Sequence, residues 1–101
     1  MISVNILFTK KEEAEMVLDE LLEQKLMYGA YLQTIERWKR NKELPKYNFC
    51  FMLIGLTRAV VYSKVIALIE KKFSHIEFLA YTNPVLNISG THEDQLKKHI
   101  Q

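Results

Sequence analysis

The chain has 101 residues, the length of one domain, and 49% of them are apolar, enough for a packed core and against disorder. Its 14 basic residues are offset by 12 acidic ones, leaving a formal charge of +2, too mild to imply nucleic acid or a membrane surface as partner. The longest apolar stretch, residues 49–56, falls far short of the roughly 20 residues of a spanning helix, and a single cysteine makes no internal disulfide. With no basic n-region or cleavage site at the start, the expectation is one domain over 1–101, cytoplasmic, with no membrane and no nucleic acid among its partners.

Residues 3–8 read as a strand, with Val4, Ile6 and Phe8 at period two. Thr9-Lys10-Lys11-Glu12 matches a capping box, in which the Thr9 hydroxyl accepts from a first-turn N–H and Glu12 reaches back. Ala14, Val17, Leu18, Leu21 and Leu22 then form one apolar face of a helix running to Gln24, with the glutamates on its wet side. Residues 27–38, with Tyr28, Tyr31, Thr34, Ile35 and Trp38, predict a second strand bent near Gly29. The polar run 40–45 closes on Pro45 as a turn, and residues 47–57 form a long third strand paired with the second.

Val61, Val65, Leu68, Ile69 and Phe73 place a second helix over 59–73. Residues 76–81 predict a fourth strand, broken by Asn83-Pro84. A short further strand over 85–88 and a final helix over 92–100, capped by Thr91, complete the expectation. The order βαββαβ implies an α+β, ferredoxin-like sandwich: an antiparallel sheet with both helices on one face, extended by a short C-terminal strand and helix.

The third strand carries a consequence. One of its faces holds Tyr47, Phe49, Phe51 and Leu53, the other Asn48, Cys50, Met52 and Ile54. Two helices cover one face of such a sheet, so the second face would be wet in a monomer and its residues polar. Exposing about three large side chains at roughly 25 cal/mol per Å² costs a few kcal/mol, and a patch of that kind marks an interface. A second subunit is the expected cover; the alternative is the chain's own C-terminal segment.

With that architecture the sequence resembles the CutA family over nearly its whole length. Ile6-Leu7-Phe8-Thr9 with Glu13-Ala14 is similar to the family's first strand and acidic helix start, and residues 21–26 to its helix exit. Thr34-Ile35-Glu36-Arg37-Trp38-Lys39 resembles the family's Ser-Ile-Tyr-Arg-Trp-Lys segment before the hairpin. Residues 52–57 stand where the family has its long third strand, and 95–100 where it has its terminal helix. The chain departs from the family at Phe8, where Cys is frequent, at Arg40, usually Gly, and at Leu56, usually Lys; the family's His-Pro-Tyr segment is replaced by residues 73–78. The resemblance implies a homo-oligomer, a homotrimer, with a non-enzymatic role in divalent-cation tolerance or binding. A PII-like small-ligand-sensing module of the same topology is the alternative, disfavoured by the short stretch between Trp38 and Lys46.

Candidate chemistry is sparse. Cys50, between Phe49 and Phe51, reads as a small buried hydrophobe rather than a reactive thiol. His75, His92 and His99 are the only imidazoles; His92 and His99 lie seven apart, where a helical zinc pair uses i,i+4, so no metal site is assigned and any cofactor stays unknown. The acidic face between Glu12 and Glu23 has no calcium-loop pattern. Arg37, Trp38 and Lys39 combine an indole with cations and are the candidate contacts for a small anionic ligand at a subunit boundary; Trp38 equally suits a role as interface anchor. The third strand lacks the glycine and aromatic phase of an RNA-recognition motif, and with Gly only at 29, 55 and 90 the chain has no phosphate loop. No reaction is predicted.

Overall fold

The computed structural model describes residues 1–35, 49–85 and 98. Strand β1 (Ile2–Phe8) leads into helix α1 (Lys11–Glu23), then β2 (Tyr28–Thr34) and β3 (Phe51–Thr57). A 3-10 turn (Ala59–Val61) opens helix α2 (Tyr62–Lys72), and β4 (Phe78–Pro84) follows. The four strands form one sheet in the order β2-β3-β1-β4, antiparallel at every pairing. The expected α+β, ferredoxin-like arrangement is therefore the observed one. The expected C-terminal strand over 85–88 lies, beyond Val85, outside the described residues, as does the final helix except Lys98. Val85 itself donates its N–H to the Met1 carbonyl at 3.1 Å.

Alternation in β1 builds the core. Val4, Ile6 and Phe8 are fully buried and meet Leu53 of β3. Ala14, Val17 and Leu21 of α1 and Val65 and Ile69 of α2 close on them from the same side. The apolar stripe of α1 is narrower than its leucines imply: Leu22 is 44% exposed, because the buried line runs through 14, 17 and 21.

Three local expectations are corrected. The capping box does not form, since Lys10, still extended at φ −127° and ψ 137°, is the residue that precedes the helix, and no side chain caps it. The extended path of β1 persists one residue beyond Thr9, which places Thr9 too early to cap. The first turn is closed by the Ala14 N–H on the Lys10 carbonyl, 3.2 Å, with Glu12 and Glu13 facing the positive end of the helix dipole. Second, β4 runs through Asn83 to Pro84 rather than stopping at Tyr81. Among the described residues it is an edge strand, paired with β1, and its final position tolerates a proline. Third, α2 begins at Tyr62 after the 3-10 turn, and Phe73 leaves the helix to fill the core.

The bend near Gly29 is a β-bulge. Tyr28 pairs with Leu56 but Tyr31 with Ile54, so β2 spends one extra residue against β3, with Gly29 at φ +61° in the left-handed region. Met27 is thereby folded over Gly55, where any Cβ would run into the Met27 side chain.

Helix α1 ends in a Schellman motif. The Leu26 N–H bonds the Leu21 carbonyl at 2.9 Å and the Lys25 N–H bonds the Leu22 carbonyl at 3.1 Å. This requires the left-handed conformation at Lys25, φ 56°, which glycine takes without steric cost. Across the helices, the Lys72 ammonium donates to Glu20 Oε1 at 2.8 Å, and Gln24 Nε2 donates to the same oxygen at 2.9 Å. The Lys72 hydrogen bond first, and that of Gln24 second, hold the Glu20 carboxyl below its usual range.

Two outcomes are expected. Lys25→Gly should raise the unfolding free energy in denaturant titration by about 0.5–1 kcal/mol, by removing left-handed strain at an unchanged cap. Because the folded-state pKa of Glu20 is depressed, its contribution is present above the unfolded glutamate value, about 4.3, and is lost as pH falls through the lower folded value. Thermal melts across that acid range should therefore fall less steeply for Glu20→Gln than for the wild type.

Candidate functional site

The residues singled out for a small anionic ligand, Arg37, Trp38 and Lys39, lie outside the described residues, as do His92, His99 and the 36–48 connection on which the PII-like alternative turns. His75 is exposed in the turn between α2 and β4. Cys50 is half-buried at the entrance to β3, its N–H donating to the Phe8 carbonyl at 3.1 Å. The glutamates of α1 are solvated, Glu15 meeting Lys11 at 3.8 Å and Glu20 meeting Lys72. Among the described residues no three His, Cys, Asp or Glu side chains gather as a metal-binding group would require. Surface depressions are open to solvent beside Lys72, where Asp19, Glu20 and Glu23 line the wall, and between Leu26 and Lys64.

The feature that stands out is the sheet face turned away from the helices. Residues directly opposite one another on neighbouring strands share a face. One row runs Leu79, Leu7, Met52, Gln33 across β4, β1, β3 and β2. The next runs Tyr81, Asn5, Ile54, Tyr31, and a third runs Asn83, Ser3, Leu56, Tyr28. Tyr31 is 53% exposed, Leu79 51% and Tyr81 44%, all large apolar surfaces facing solvent in the isolated chain. A chain in which 26% of residues are charged places no charge at any of these twelve described positions. Depletion of charge with aromatics and methionine enriched is the composition of an interface core.

Polar side chains on the face include Ser3, Gln33 and Asn83, and two groups of its middle row, on Tyr81 and Asn5, lie closest to the apolar side chains. Tyr81 reaches across β1 from β4, and its hydroxyl lies 3.8 Å from Met52 Sδ on β3. Asn5, in the row of Tyr81 and Ile54, is only 5% exposed although it points away from the helices. Its Nδ2 donates to the Ser3 carbonyl over 3.5 Å, the outer limit of a hydrogen bond. The apolar character of this face was legible from Met52 and Ile54; the central Asn5 was not, because period-two reading of residues 3–8 looked only at the buried side.

No family model matches the sequence, and no curated protein matches it. Solved structures do. The periplasmic divalent cation tolerance protein CutA from Archaeoglobus fulgidus is similar with a TM-score of 0.81 at 20% identity, over 100% of both chains. The divalent cation tolerance protein from Thermus thermophilus gives 0.70 at 18%, again over 100% of both chains. CutA1 from Oryza sativa gives 0.70 at 16%, over 99% of this chain and 93% of that one. The departures at Phe8 and Leu56 thus leave the architecture of the described residues intact, and this chain has the fold of the CutA divalent cation tolerance proteins.

Proposed function

We propose that this chain is a divergent CutA protein that acts as a homotrimer joined through the open sheet face, with a non-enzymatic role in divalent-cation tolerance or binding. The observation that carries the assembly is the uncharged, aromatic-rich face formed by Tyr31, Ile54, Leu79 and Tyr81 on a sheet of CutA fold. A second copy suits it better than the C-terminal stretch, since residues 92–99 bring Glu93, Asp94, Lys97 and Lys98 into a segment of eight. Burying charge against an apolar face is costly unless each charge finds a partner.

The cation role rests on the likeness to proteins described as divalent cation tolerance proteins. Among the described residues no donor cluster exists within one chain, so this reading draws its ligands from elsewhere in the sequence or from more than one subunit. Arg37, Trp38 and Lys39 belong to the same proposal as contacts for a small anion at the subunit boundary. The cytoplasm is the proposed location, since a chain with one cysteine makes no use of an oxidising compartment for an internal disulfide; the Archaeoglobus relative is described as periplasmic, and cell fractionation decides between the two.

Light scattering on an eluting size-exclusion peak should give three times the 11.9 kDa chain mass, and Ile54→Asp should reduce it to one chain with the helical content intact. A wild-type mass of one chain at every concentration sinks the trimer. Titration calorimetry with copper and zinc, followed in parallel by emission of the single tryptophan, Trp38, should give saturable binding at a simple ratio to subunits. Heat with ATP and none with either metal would move the reading to the PII-like alternative.

A further inference from the structure

We infer that Asn5 and Tyr81 are the polar pair that fixes the register in which a second copy docks on the open sheet face; this rests on the oligomeric reading above. Flat apolar surfaces stack in many orientations with similar gain, so an uncharged face by itself specifies contact but not geometry. What discriminates among orientations is a polar group short of protein partners in the free chain that only one arrangement satisfies in the complex.

The face holds two such groups at its centre. The Asn5 carboxamide has two donors and two acceptor lone pairs, and its one hydrogen bond among the described residues is the 3.5 Å contact with the Ser3 carbonyl. Among the described residues the Tyr81 hydroxyl meets Met52 Sδ at 3.8 Å, a weak acceptor. Both sit in one row with Ile54 and Tyr31, so a docked copy that covers the apolar side chains also removes the remaining water from both. An orientation that leaves either group dry and unpaired is penalised; one that brings a neighbouring subunit's polar atom to them is not. A single polar residue at an apolar seam plays the same part in coiled coils, setting register and copy number while lowering stability.

The test is the double variant Asn5→Leu with Tyr81→Phe, studied by native mass spectrometry beside the wild type. The wild type is expected as one oligomeric mass, and the variant as an assembled mixture of two or more masses, no less stable to heat. A variant that keeps the single wild-type mass overturns the inference while leaving the oligomer standing. A wild type that is monomeric overturns the oligomer, and the register device falls with it. Should the variant not fold, the wild type still decides. The Asn5 side-chain amide protons should exchange more slowly in the assembled protein than in the Ile54→Asp monomer. Equal exchange in the two would refute the role.

Discussion

Among the described residues two helices cover one face of a four-stranded sheet and leave the other open, and this asymmetry governs the molecule. On the covered side the solution is ordinary: Val4, Ile6, Phe8 and Leu53 rise from the central strands into a layer of Ala14, Val17, Leu21, Val65 and Ile69, all fully buried. On the other side the chain does not do what an isolated domain would, which is to alternate polar residues outward. Beside the polar Ser3, Asn5, Gln33 and Asn83 it places Leu7, Met52, Ile54, Leu56, Leu79 and three tyrosines there. The two halves of each strand's alternation therefore serve two different partners, the helices and something beyond the described residues.

The peripheral devices maintain this flat layer. The bulge at Gly29 lets β2 keep its pairing with β3 from Tyr31 onward while Met27 folds down over Gly55, filling the space a side chain would have taken. The cap at Lys25 turns the chain from α1 toward β2 with Leu26 buried behind it. The Lys72–Glu20 pair ties the end of α2 to the middle of α1. That contact lies at the surface, where ion pairs contribute little, so it orients the helices more than it stabilises them.

Much of this was legible from residue order because it depends on periodicity. Val4-Ile6-Phe8 and Ala14-Val17-Leu21 announce a strand and a helix without reference to anything distant. What was missed depends on one-residue shifts or on other strands. Thr9 and Glu12 have the right chemistry for a cap, but the strand before them stays extended through Lys10 and moves the helix start. Pro84 reads as a strand breaker until β4 is known to be an edge. The burial of Asn5 depends on the register, which sets it between Ile54 and Tyr81 while the tyrosine reaches over β1. Of the candidate site, the apolar face was visible in β3, whereas Arg37, Trp38 and Lys39 lie outside the described residues.

The sheet order has a consequence for how the chain folds. β1 is the first strand in the sequence, yet its hydrogen-bonding partners are among the last: Phe8 pairs with Phe51 and Phe78, and Ile2 with Thr57 and Pro84. During synthesis β1 and α1 exist for a long interval with no strand to pair with, and closing those loops is the entropic step that must precede the gain from pairing. A nascent chain in that interval holds Val4, Ile6 and Phe8 against α1 alone and leaves both backbone edges of β1 open. A central strand of the finished sheet is thus the most vulnerable one while the sheet is being made.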